Sequence, residues 1–131
     1  MGKLVSHVCS EVGRRKNNED SYIIDEPVPG YTMFAVADGM GGATAGEVAS
    51  SLAIETISGF FRKEIVPEKE YPDQEILDII LNGFRAIQKA IADTLKDDPS
   101  LTGMGTTLVL LLNAKGRWFS GNLGDSRLYA I

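Results

Sequence analysis

Three short segments of this chain concentrate the side chains that could do chemistry. They are Arg15-Lys-Asn-Asn-Glu19-Asp20, Asp38-Gly39-Met40-Gly41-Gly42 and Gly124-Asp125-Ser126-Arg127. Each falls at a strand end or a turn, so carboxylates from separate strands can converge on one edge of a sheet. Hard divalent cations such as Mg²⁺ or Mn²⁺ ask for that arrangement: oxygen ligands in near-octahedral geometry at about 2.0–2.2 Å, with several waters retained. The glycine after Asp38 removes a Cβ and lets a backbone carbonyl approach an ion. An arginine beside acidic residues suits a phosphate, because its planar fork makes two parallel hydrogen bonds to it.

Taken singly, each segment has a plainer reading. Arg14, Arg15 and Lys16 read as a solvated turn, Glu19-Asp20 as an ordinary acidic pair, and Asp38-Gly39 and Gly124-Asp125 as turns. Residues 39–46 hold four glycines but match neither phosphate-loop pattern: Thr44 stands where the dinucleotide motif needs its third glycine, and Glu47 rather than Lys follows Gly46. His7, the one histidine, lies in a strand pattern and reads as a sheet residue.

The elements that must position these segments change period along the chain. Residues 4–12 and 21–25 read as strands, 26–30 as turn chemistry, and 31–37 as a buried strand ending at Asp38-Gly39. Thr44 and Glu47 then form a capping-box pattern, followed by Val48, Leu52, Ile57, Phe60, Phe61 and Ile65 at helical spacing up to Pro67. A second helix starts near Asp73 behind Pro72. Its apolar face is Ile76, Ile80, Phe84, Ile87, Ile91 and Leu95, closed by Asp97-Asp98-Pro99. Strands return over 106–112 and 117–123 around a hairpin turn at 113–116, and residues 126–131 begin another. Strands, two helices and strands again point to an α+β layered fold. Ending on an apolar strand implies a truncated chain.

Composition bounds the rest. At 131 residues the chain is one domain or a piece of one. A formal net charge of −5 argues against nucleic acid as a partner, since that needs a basic face. The single cysteine, Cys9, excludes an intrachain disulfide and reads as a small buried side chain. There is no signal-peptide pattern and no apolar stretch of the ~20 residues that span a bilayer, so the expectation is a cytoplasmic protein with no membrane partner.

Together the segments are far more specific than any one. The order Arg15-x-x-Asn18-Glu19-Asp20, Ala35-Val36-Ala37-Asp38-Gly39-Met40-Gly41-Gly42, Met104-Gly105-Thr106-Thr107, then Gly124-Asp125-Ser126-Arg127 resembles the type 2C metal-dependent serine/threonine protein phosphatases (PPM), and Met40 resembles their bacterial branch. The resemblance implies an α-β-β-α sandwich, of which this chain would be the first part. It implies hydrolysis of phosphoserine and phosphothreonine in proteins by a hydroxide bridging two Mn²⁺ or Mg²⁺ ions, without a phosphoenzyme. By the same resemblance Asp38 is the bridging carboxylate, the Gly39 carbonyl a ligand, and Glu19 and Asp20 the acidic pair on the same ion or its waters. Arg15 is the phosphate-binding arginine, and Asp125 helps hold a third, weaker ion. Met40 cannot donate a proton, so a water must act as general acid.

The family places two further metal-binding aspartates beyond the length of this chain. The resemblance therefore implies a site short of two carboxylates, and a sheet face left uncovered that could drive homo-oligomerisation. The alternative to a phosphatase is a catalytically incomplete module that binds metal or phosphate weakly, or self-associates.

Overall fold

The computed structural model of the chain describes residues 20–41 and 43–124, the side chains of Asp20 and Ala43 excepted. The strand expected over 4–12, the start of a strand at 126, and the site residues Arg15, Glu19 and Asp125 lie outside the described residues.

A hairpin opens the described chain: β1 (Asp20–Val28) and β2 (Tyr31–Met40) pair antiparallel around Pro29-Gly30, with Gly30 at φ 85°. The turn is shorter than the 26–30 expected. Pro27 has no N–H for a ladder, but β1 is a lateral strand of the described sheet and its register breaks between Asp25 and Val28, which accommodates the proline inside the strand. At its other end β2 runs on to Met40, so Asp38 and Gly39 are ladder residues and not a turn; β3 holds them in register opposite Thr107 and Thr106.

After β2 the chain leaves the sheet for two helices, α1 (Ala43–Glu64) and α2 (Asp73–Asp97), and a short 3₁₀ turn (Pro99–Leu101). It returns as β3 (Gly105–Ala114) and β4 (Arg117–Leu123) around Lys115-Gly116, both at positive φ as a two-residue hairpin turn demands. The sheet order is β1-β2-β3-β4, antiparallel throughout. The observed fold is α+β; of the four layers expected, the described residues build two, one sheet and one helix pair.

Helix α2 matches its sequence pattern: Ile76, Ile80, Phe84 and Ile87 are buried. Helix α1 departs from its pattern in two ways. It begins at Ala43, so Thr44 stands inside the first turn and is not the N-cap. Its buried face also includes Ala45, Ala49, Ser50, Ala53 and Ile54, while Val48, Leu52 and Phe60 are only half-buried. Counting large apolar residues misses this face, because small side chains are what let a helix lie close on a sheet.

Alternation along the strands gives the sheet two unlike faces. Tyr31, Met33, Ala35 and Ala37 of β2 and Leu108, Leu110 and Leu112 of β3 are buried beneath the helices. Tyr22, Ile24, Val36, Met40 and Trp118 stand exposed on the opposite face, where Phe34 and Trp118 stack at 6.3 Å between ring centroids. No described residue covers that face. Two polar pins hold the helices to the sheet edges. Asp25 of β1 accepts hydrogen bonds from Ser58 (2.7 Å) and Arg62 (2.6 Å) of α1. Arg117 of β4 donates to Asp73 (2.5 Å) and to the carbonyl of Tyr71 (2.8 Å).

The core contains one uncompensated polar atom among the described residues, the hydroxyl of fully buried Tyr31. Burial, and then the neighbouring Tyr71, push its phenol above the ordinary value of 10.0. The folded pKa therefore exceeds the unfolded one, and stability that is full below the unfolded pKa is lost as pH rises toward the folded value. Tyr31→Phe should raise stability by about 1 kcal/mol in urea denaturation at pH 7 and flatten the alkaline decline; a lower midpoint would reveal a partner for the hydroxyl.

Candidate active site

The ladder register brings the chemistry-bearing segments into one row across the sheet. Asp20 stands opposite Asp38, and Asp38 opposite Thr107. Leu123 pairs with Leu108, so Gly124 comes next to Thr107, and a Cβ on Gly124 would lie 2.8 Å from Thr107 Cγ2. Gly124 also sits at φ 84°, a conformation that favours glycine. Two acidic residues and the start of the third segment thus share one end of the sheet. Asp38 belongs by alternation to the open face, beside Val36 and Met40, and is half-buried there.

Directly opposed like charges destabilise a strand pair, and a divalent cation between them reverses that. Hard carboxylate oxygens are also the donors Mn²⁺ and Mg²⁺ prefer. Asp38 fits such an ion as one donor of a set. Among the described residues no group of three or more acidic, histidine or cysteine side chains forms a complete one. Glu19, Arg15 and Asp125 fall outside the described residues.

Gly39 has a packing reason to be glycine beside the one that sequence reasoning supplies. A Cβ there would lie 1.9 Å from the backbone carbonyl oxygen of Gly46, in the first turns of α1. The space a side chain would fill is thus occupied by helix backbone, and the missing Cβ serves helix-to-strand contact. Gly46 and Thr107 are the residues that sequence reasoning left without a role. Gly46 figured only in a nucleotide-loop pattern that failed, and no periodicity signals a close backbone approach. Thr106 and Thr107 both direct hydroxyls to the main-chain carbonyl of Asp38, at 3.3 and 3.4 Å.

An open groove of 530 Å³ lies elsewhere, between β1 and α1, lined by Ile23, Asp25, Ile54, Ser58 and Arg62 among others. Asp38 does not line it, and its polar groups satisfy one another through the Asp25 pin. We assign it no chemistry.

Residues 10–131 match the family model described as Protein phosphatase 2C. This chain belongs to the protein phosphatase 2C family. Serine/threonine protein phosphatase PstP of Mycobacterium tuberculosis is 38% identical over 117 residues, 89% of this chain and 20% of that protein. Serine/threonine phosphatase stp of Listeria monocytogenes is 32% identical over 89% of this chain and 45% of its own length. The catalytic domain of PstP, solved in complex with two manganese ions, superposes with a TM-score of 0.71 at 38% identity, covering 91% of this chain and 47% of that one. The S. agalactiae serine/threonine phosphatase gives a TM-score of 0.77 at 28% identity, over 91% of this chain and 48% of that one. The chain thus spans less than half the length of these family members, and its likeness to them covers sheet and helix pair together.

Gly39→Ala should be costly wherever metal is absent, because backbone rather than a flexible side chain opposes the new methyl. We expect a loss of about 3 kcal/mol in urea unfolding of the metal-free protein; a loss below about 0.5 kcal/mol would show that α1 is free to move away from β2.

Proposed function

We propose that this chain contributes the Asp38 half of a metal-dependent protein phosphatase site, acting on phosphoserine and phosphothreonine in proteins. The observation that carries the reading is the register that sets Asp20 against Asp38 at the end of the sheet beside Gly124. Family membership and the two manganese ions in the PstP catalytic domain support it. Asp38 and Asp20, with Glu19 and the Gly39 carbonyl, would hold Mn²⁺ or Mg²⁺; Arg15 would bind the phosphate, and Asp125 a further ion. Two such ions, when bound, lower the pKa of a water and neutralise charge on the phosphoryl oxygens. The protein's own contribution is positional: a rigid ladder holds the carboxylates on a face open to a phosphorylated segment. Met40, half-exposed beside Asp38, supplies no proton, so protonation of the leaving seryl oxygen falls to water.

The uncovered apolar face favours a second reading, a module that binds metal or phosphate without turnover and self-associates. A four-stranded face of this strand length offers on the order of 500 Å² per copy, so two facing copies would bury about the 1,000 Å² of a specific interface.

Hydrolysis of p-nitrophenyl phosphate tests the first reading. Turnover should require Mn²⁺ and fall at least about a hundredfold in Asp38→Ala; turnover without added metal, or unchanged in the variant, would sink it. Absence of turnover with Asp38-dependent Mn²⁺ binding would leave the second. For that reading, sedimentation velocity should show a concentration-dependent dimer that Val36→Glu disperses; a monomer at every concentration excludes it.

A further inference from the structure

Met40 stands on the same face of β2 as Asp38, and the proposed function gives it no task. It follows Asp38 by two residues, about 7 Å along the strand. Of the described methionines, Met33 and Met104 are 0% and 6% exposed, whereas Met40 is 51% exposed. Its side chain lies across its ladder partner Gly105: a Cβ there would come within 3.3 Å of Met40 Cγ and 3.5 Å of its sulfur. The sulfur thus rests on bare backbone, with no side chain at 105 to shield it. A thioether is a soft donor that hard cations such as Mn²⁺ pass over for water, so an unmodified methionine adds nothing to an oxygen-ligated site. Oxidation changes that, because it turns the apolar thioether into a polar group bearing oxygen.

From this placement, and resting on the cation-site reading above, we propose that Met40 is a modification site: a hydroperoxide converts it to the sulfoxide, whose oxygen is a hard donor beside Asp38. The sulfur lone pair attacks the terminal oxygen of the hydroperoxide. The O–O bond breaks, an S–O bond forms, and the hydroxyl proton passes to the departing oxygen, which leaves as water or an alcohol. Sulfur is oxidised by two electrons and the peroxide is reduced by two. The new oxygen sits near the tip of an unbranched side chain whose rotatable bonds let it turn toward the carboxylate row. Methionine sulfoxide reductases return the thioether, so the added donor is reversible. The same change at Met33 or Met104 would put oxygen into the packed core, where it disrupts contacts and supplies no ligand.

The test treats the metal-free protein with hydrogen peroxide, maps the oxidised residues by peptide mass, and then measures Mn²⁺ binding from the paramagnetic resonance signal of the free ion. Met40 should gain one oxygen at least about tenfold faster than Met33 or Met104. After removal of peroxide, the oxidised protein should reach half-saturation at about tenfold less Mn²⁺ than the untreated protein, as one more oxygen donor implies. Met40→Leu should bind Mn²⁺ as the untreated protein does and ignore peroxide. Met40→Gln, which carries an amide oxygen at similar reach, should bind like the oxidised protein with no peroxide added. Oxidation of Met33 or Met104 as fast as Met40 overturns the modification site. Mn²⁺ binding by the oxidised protein and by Met40→Gln that equals binding by Met40→Leu overturns the donor role. Binding absent from every form, or unaltered by Asp38→Ala, overturns the cation-site reading and the donor role with it. That outcome is distinct from Asp38-dependent binding that an oxygen at position 40 leaves unmoved.

Discussion

At the Asp38 end of β2, helix α1 and the strand meet without a side chain between them. At Gly39 the strand comes so close to the Gly46 carbonyl that no Cβ fits, and the rest of the described architecture follows from that contact. Buried Ala45, Ala49 and Ala53 continue the close approach along the helix. Tyr31, Met33, Ala35 and Ala37 then meet α1 on one face of β2, and the alternation of a strand sends Asp38 to the other. The helix therefore presses on the backbone directly behind the carboxylate while leaving the carboxylate side free. A ligand set built on a strand so backed has little freedom to drift, and a metal site requires that of its ligands.

The open face has two chemical characters along its length. At one end lies the row of Asp20, Asp38, Thr107 and Gly124; at the other, Phe34 stacks on Trp118 beside Ile24, with Tyr22 and Val36 between. Acidic donors at the end of an apolar face experience less solvent screening than on an ordinary surface, so a bound cation interacts more strongly with them. Whatever covers the apolar part lies beside the acids.

Polar contacts elsewhere serve the frame. The Asp25 pin to Ser58 and Arg62 and the Arg117 pin to Asp73 and Tyr71 sit at opposite lateral edges of the sheet, each tying one helix down. Both arginines are substantially exposed, so each ion pair adds little energy. Their value lies in fixing where the helices rest on the edges, while the apolar core supplies the stabilisation.

The sequence by itself determined the local part. Period and punctuation located both helices and all four described strands, α2 to its first residue at Asp73, because those signals are carried by neighbours along the chain. The ordered motifs around Asp38 and Asp125 were legible for the same reason, and they carried the family. Small errors arose where tertiary context overrides local chemistry. Pro27 stayed in a strand because its register breaks there, and Thr44 lost its cap because α1 starts one residue earlier. Only the tertiary structure decided that Asp20 faces Asp38, that Thr107 lies between Asp38 and Gly124, and that Gly39 is a glycine for the sake of Gly46. Those are pairings between residues as far as 69 positions apart, such as Thr107 and Asp38. No periodicity along a chain encodes them, because they exist only once strands choose partners and a helix settles on the sheet.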